Sequence, residues 1–243
     1  MLNKEELKTL SNIKGKYYMP PLVTRLELLI EKYGYEESFN YLHQTIRAAQ
    51  DEVIAIIEAR KSKGIITDVK QASKTVVGAI FSNCIEYLFL KAKKAGKARR
   101  DIFVTSKVGK FKNVVSIIVD GESQRPDMDL VFYTIEDNSD IKNMIMLSLK
   151  TSLRERANQT YKWKLLLEIA TTENPIKDKY NIEYPLDKMP LVCFATVNFY
   201  DEINNPQHRG MFKFFDKSFI GKPIDTDFID NLSVLIAYVN EKL

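Results

Sequence analysis

Two carboxylates and a lysine are the residues of this chain whose types and spacing point most directly to chemistry. Asp127 and Asp129 stand two apart in RPDMDLVFYT, where an apolar run begins, so an extended backbone puts both on one face. Such carboxylates can hold a divalent cation. In the next apolar run, MIMLSLKTSLRER, Lys150 ends the hydrophobic stretch and is followed at once by Thr151, Ser152 and the triplet Arg154, Glu155, Arg156. Oxygen ligands, an ammonium, hydroxyls and guanidiniums are what metal-assisted cleavage of a phosphodiester requires: charge neutralisation, an activated water and clamps on the phosphate. Aspartates at turns and lysines at strand ends are also common structural residues, so the types alone leave that role open.

Charge adds a second signal. Residues 61 to 116 contain 13 Lys or Arg against three acidic residues, a local +10 in a chain whose total is only +4, so the remainder sums to −6. The densest part, KAKKAGKARRDIFVTSKVGKFK, includes Lys107 and Lys110 and offers cations to a polyanion such as DNA. A solvated helix end, favoured by the macrodipole, accounts for the same run equally well. Further on, Asn198, Asn204, Asn205, Gln207, His208 and Arg209 supply amide and guanidinium groups suited to purine edges, and also suit ordinary turns. His43 and His208 have no His or Cys near them, and no Walker loop, dinucleotide glycine pattern or HExxH occurs.

These residues need a scaffold, and the composition allows one. The chain has 243 residues, 45% hydrophobic and 28% charged, enough apolar surface for one large domain or a core with an extension. Cys84 and Cys193 lie in apolar runs and are expected to be buried thiols of a reduced cytoplasmic protein. The N-terminus has no apolar signal core, and no run reaches about 18 apolar residues, so no membrane segment is expected. The spacing predicts helices from Pro20 to Gly34, from Glu36 to Gly64 as one run, and from Asp68 to Ala95. Short apolar runs then predict strands at IFV, NVVSIIV, DLVFYTI and NMIMLSL, a helix from Ser152 to Thr171 that holds Trp163 as a core or interface residue, and a strand at PLVCFATV. After a polar loop come a strand at MFKFF and a last helix from about Asp227.

Proline-aspartate on one strand and a lysine at the end of the next is the pattern of the PD-(D/E)xK nucleases. The stretch Ser148 to Arg156 is similar to the SxKTSxRxR stretch of some type II restriction endonucleases. The resemblance covers roughly residues 66 to 200 and extends to an α-β-β-β-α-β order of elements: the helix 68–95, three strands over about 113–149, the helix 152–171 and the strand 191–197. It implies an α/β fold: an α/β/α core around a central mixed sheet, with residues 1–65 as an N-terminal helical region and 66–243 as the catalytic and DNA-recognition domain.

The roles follow from the same resemblance. Asp129, with Asp127, is implied as the metal-ligating acid, and Lys150 as the lysine that orients the attacking water. Ser148 stands where the family normally has Asp or Glu, so a glutamate on the following helix is implied as its replacement. Glu168 is the first candidate and Glu155 the rival; some relatives use a spacing of 14, which here lands on Lys164. Glu86 resembles a glutamate that the family's first core helix directs at the metal, and Ser152, Arg154 and Arg156 resemble supports for phosphate or metal. The implied activity is Mg²⁺-dependent cleavage of double-stranded DNA at a short sequence by a homodimer, leaving 5′-phosphates. A low-specificity repair or mobile-element nuclease, or a non-catalytic DNA-binding protein, is the alternative.

Overall fold

The computed structural model describes residues 1–125, 128–136, 140–153, 157–186 and 188–243. Five helices come first: α1 (Lys4–Gly15), α2 (Pro20–Glu37), α3 (Leu42–Ala48), α4 (Gln50–Ser62) and α5 (Val69–Lys94). Asn3 caps α1 in a capping box with Glu6, and Pro20 and Pro21 open α2, whose regular part stops at Gly34 with φ +84°, a conformation that favours glycine. The run after Gly34 is not one helix. The segment Ser38–Tyr41 is a 3₁₀ turn, and the His43 amide donates to Gly221 O at 2.8 Å instead of to its own helix. Packing against the strands therefore outweighs the continuous helical pattern of the sequence. Gly221 is what allows this close approach, because a Cβ there would stand 3.2 Å from that of Leu42.

Beyond α5 the chain forms β1 (Phe103–Thr105), α6 (Lys112–Val115), β2 (Ile117–Val119), β3 (Glu122–Gln124), β4 (Leu130–Ile135), β5 (Ile141–Lys150), α7 (Ala157–Thr171) and α8 (Pro175–Lys179). Next are β6 (Ile182–Glu183), β7 (Leu191–Thr196), α9 (Pro206–Phe212), β8 (Lys217–Ile220), β9 (Asp230–Asn231) and α10 (Leu235–Lys242). The central sheet is mixed and runs β1-β4-β5-β7-β8-β9; β1, β4 and β5 are antiparallel, and β7, β8 and β9 follow β5 in parallel. The run NVVSIIV does not belong to this sheet. Its first half is α6, and β2 pairs with β3 and β6 in a separate small sheet. The first of the three strands between α5 and α7 is therefore β1, and the order α5-β1-β4-β5-α7-β7 is helix, three strands, helix, strand.

Strand alternation sorts the apolar residues into two cores. Leu130, Phe132, Ile145, Leu147, Cys193 and Ala195 face α1 to α5 and α10, while Val131, Met144, Met146, Val192 and Phe194 face α7, α9 and the small sheet. The result is an α/β chain of three layers, in which β5 is buried from Met144 to Lys150 because both of its faces are covered. The strand expected at MFKFF is instead the end of α9 and the turn after it. Asn205 caps that helix, Pro206 opens it, and Met211, Phe212 and Phe215 reach the second core at helical spacing. The last helix begins at Leu235, later than the expected start near Asp227.

Both cysteines are buried and unbridged, and burial pushes the Cys193 thiol up to about 12. Helix α5 is long and apolar enough to cross a membrane by length and composition, but 67% of that stretch is buried within the fold. Its far end is tied down by Lys93, only 1% exposed, which pairs with the Glu6 carboxylate and donates to Ile102 O at 2.6 Å. Removing one member of such a pair strands the other charge. Lys93→Ala is expected to lower unfolding stability by about 3–5 kcal/mol, read from urea titration, and Lys93→Arg by less.

Candidate active site

The ends of β4 and β5 that lie side by side carry the acid and the lysine. Leu130 pairs with Leu147 in the antiparallel register, so Asp129, just before β4, comes level with the last residues of β5. Asp129 Oδ2 accepts the Leu149 amide at 2.7 Å and the Lys150 ammonium at 3.2 Å. Lys150 is 7% exposed and the Asp129 side chain 32%, so the carboxylate stands at the rim with the lysine beneath it. Alternation puts both on the α7 side of the sheet. Asp129 Oδ1 has no partner among the described residues.

Ser148 lies on the same face but is turned inward: its hydroxyl meets that of Thr160 at 3.1 Å, both buried, and this bond fastens α7 to β5. From Thr160 the helix descends away from Lys150. One turn on, Lys164 donates to both oxygens of Asp216 at 2.9 Å, and Asp216 also accepts the amide of Val192 near the start of β7. Glu168 is a further turn along, 3.3 Å from Lys164, and Thr171 at the end of α7 reaches Met189 ahead of β7. Glu168 is thus displaced by about 12 Å along the helix from Thr160 and does not join Asp129 and Lys150. It neutralises a buried lysine instead, and sharing a helix face with residue 164 directs it to that lysine and not to the rim. The alternatives Asp127 and Glu155, with Arg154, Arg156 and the side chain of Lys110, lie outside the described residues.

Glu86 reaches the same end of the sheet from the opposite layer. Its carboxylate accepts the Ser106 amide at 3.3 Å, one residue past β1. Burial pushes the Glu86 carboxyl above its ordinary value of 4.5, opposed by the Ser106 bonds and by the charges of Lys16 and Lys107. Burial likewise lowers the Lys16 ammonium, opposed by Glu86. No group of three or more His, Cys, Asp or Glu forms a metal cage among the described residues, so Asp129, Glu86 and Glu168 do not converge as one ligand set.

The loop after β7 holds part of the polar set expected to contact bases in contacts of its own. Asn198 is buried with φ +49°, a left-handed conformation Asn tolerates, and its Oδ1 accepts the amide of Glu202 at 2.8 Å. Asn205 is spent as the cap of α9, Arg209 lies 5.9 Å over the Phe228 ring, and His208 Nδ1 is 2.8 Å from Glu202 O. Lys107 is exposed and Ser152 half-buried.

Sequence reasoning missed Glu202. Its Oε2 accepts the Leu153 amide at 2.7 Å, just past Thr151 and Ser152, while the Phe199 amide donates to Thr151 O at 3.1 Å. The exits of β5 and β7 are thereby held together beyond the paired residues Lys150 and Thr196. An acid in a polar loop carries no periodic signal, and only the tertiary path reveals its partner.

Comparison with known proteins places the chain among the type II restriction endonucleases. Residues 90–238 match the family described as "BsaWI restriction endonuclease type 2", and the chain belongs to that family. Over 157 residues it is also 26% identical to a Methanocaldococcus jannaschii protein named "Putative type II restriction enzyme MjaVIP", covering 59% of this chain and 69% of that one. The matched region contains Asp129, Lys150 and Glu202, and leaves out α1 to α4 and most of α5.

Two outcomes are expected. Glu202→Ala leaves the Leu153 amide without its acceptor, so stability falls by about 1–3 kcal/mol in urea titration and DNA cleavage slows; Glu202→Gln keeps an acceptor oxygen and restores much of both. Folded Glu86 binds its proton more tightly than the unfolded chain does, so stability falls as pH rises above 4.5. Thermal unfolding of Glu86→Gln should therefore lose this dependence and gain on wild type between pH 4.5 and neutrality.

Proposed function

We propose that this restriction endonuclease is a PD-(D/E)xK enzyme that cuts double-stranded DNA at a short sequence with Mg²⁺, at a site built on Asp129 and Lys150. The observation that carries the reading is the 3.2 Å contact between Asp129 Oδ2 and Lys150 Nζ at adjoining strand ends on one face of the sheet. An acid and a lysine anchored to neighbouring strands are held in a fixed relation, which in-line chemistry needs. The order α5-β1-β4-β5-α7-β7 supports the same superfamily.

The donor set of Asp129 fits a hard cation. Its Oδ1 is without a protein partner among the described residues, and Mg²⁺ characteristically takes one or two carboxylates together with substrate phosphate and water. When bound, the cation supplies charge neutralisation at the scissile phosphate and acidifies water. Asp129 would hold it, with Asp127 as the further candidate. The Lys150 ammonium orients the attacking water and offsets negative charge as the P–O3′ bond breaks. The water oxygen bonds to phosphorus as the P–O3′ bond breaks and gives up one proton to bulk solvent, and the 3′ oxygen takes up a proton from solvent, leaving a 3′-hydroxyl and a 5′-phosphate. Glu202 keeps the chain after Lys150 on its path, so Ser152 is presented at the rim. Two copies related by a two-fold axis would place one such site on each strand of a palindromic target.

Digestion of a plasmid of known sequence tests this. With Mg²⁺ the wild type is expected to give discrete fragments with 5′-phosphate ends, and chelation to stop cutting. Lys150→Ala and Asp129→Asn should each slow cutting by at least about 100-fold. A smear, or undiminished cutting by Lys150→Ala, would overturn the assignment.

A further inference from the structure

The basic residues that dominate the first half of the chain fall into two groups once they are placed. At the C-terminal end of α5, Lys91 pairs with Glu27 at 2.9 Å, Lys93 with Glu6, Lys97 with Glu36 at 3.6 Å and Arg99 with Asp101. These four cations are paired within the fold, while Lys94 and Arg100 beside them are exposed without an ion pair among the described residues, so the densest basic run is only partly free for a polyanion. Lys61 and Lys63 at the corner after α4, and Lys70 and Lys74 on α5, are exposed and have no ion pair among the described residues.

The direction of α5 gives that second group its meaning. Lys93 meets Ile102 O just before β1 and Glu86 meets the Ser106 amide just after it, so α5 runs antiparallel to β1. Everything before Glu86 therefore projects past the sheet end that carries Asp129 and Lys150. Lys74 and Lys70 lie about 18 and 24 Å beyond Glu86 along the helix. They share a face with Gly78, where an added Cβ would meet nothing within 4 Å, and are flanked by exposed Gln71 and Thr75. From Lys61 to Gly78 the one acid is Asp68, whose carboxylate caps the helix by accepting the Gln71 amide at 3.0 Å.

We infer that this face of α5, with Lys61 and Lys63, binds the phosphate backbone of duplex DNA outside the recognition sequence. At about 3.4 Å per base pair, its lysines reach phosphates roughly five to seven base pairs from the cleavage site. The face lies outside the matched family region, and the inference rests on the endonuclease reading of the Asp129–Lys150 site.

The test measures binding, without metal, to duplexes carrying the site mapped by plasmid digestion, with flanks of about 3 or 12 base pairs. Wild type is expected to prefer the long flank. Lys70→Ala/Lys74→Ala should weaken that preference, with a salt slope of log K shallower by about 1.8. Gly78→Lys should steepen the slope by about 0.9, and Lys97→Ala should leave it at the wild-type value. A double variant that keeps the flank preference and the full slope overturns the inference. If wild type gives discrete fragments but ignores flank length, this inference alone fails; if it gives none, the site reading beneath it fails.

Discussion

The amide of Leu149 donating to the Asp129 carboxylate is the bond on which the arrangement depends. It extends the β4–β5 pairing by one side chain and fixes an acid beside the last residues of a strand buried on both faces. A lysine at the end of such a strand is costly to bury alone, and Asp129 is one group that offsets the cost. The same contact that offsets burial also brings an ammonium and a carboxylate to the rim of the sheet. One geometry therefore serves both the burial of the lysine and its placement beside an acid.

How much of this was legible in the sequence follows from the range of the interactions. The apolar runs of β4, β5 and β7 and the lysine ending β5 are local signals, and the strands lie where those runs predict them. Glu168 misled because helical spacing relates it to residue 164 and does not say which end of the sheet that face meets. Asn198 and Asn205 engage their Oδ1 acceptors inside the loop, in a left-handed turn and in a helix cap, and such local use carries no sign in a polar stretch of sequence. Glu202 could not be found at all, since its partner is 49 residues away. The N-terminal helices were visible as helices, yet their breaks are set by contacts to Gly221 and by Asn40 accepting the Ser233 amide.

Charge behaved in the same way. A net local excess says how many cations are present and nothing about which of them are spent. Glu6, Glu27 and Glu36 all come from the first two helices, so the N-terminal region supplies the acids that neutralise the far end of α5. Those helices share one hydrophobic core with α5, the sheet and α10, which means the charge balance and the packing of that layer are set together.

Lys164 carries one more consequence. It stands where a spacing of 14 from Lys150 would call for a carboxylate, yet it is a buried cation gripping Asp216 across the underside of the sheet. Putting an acid there would set two carboxylates against each other in a water-poor niche and release the tether between α7 and β7. An acid at that position therefore requires a matching change at Asp216, because this pair holds α7 to the start of β7.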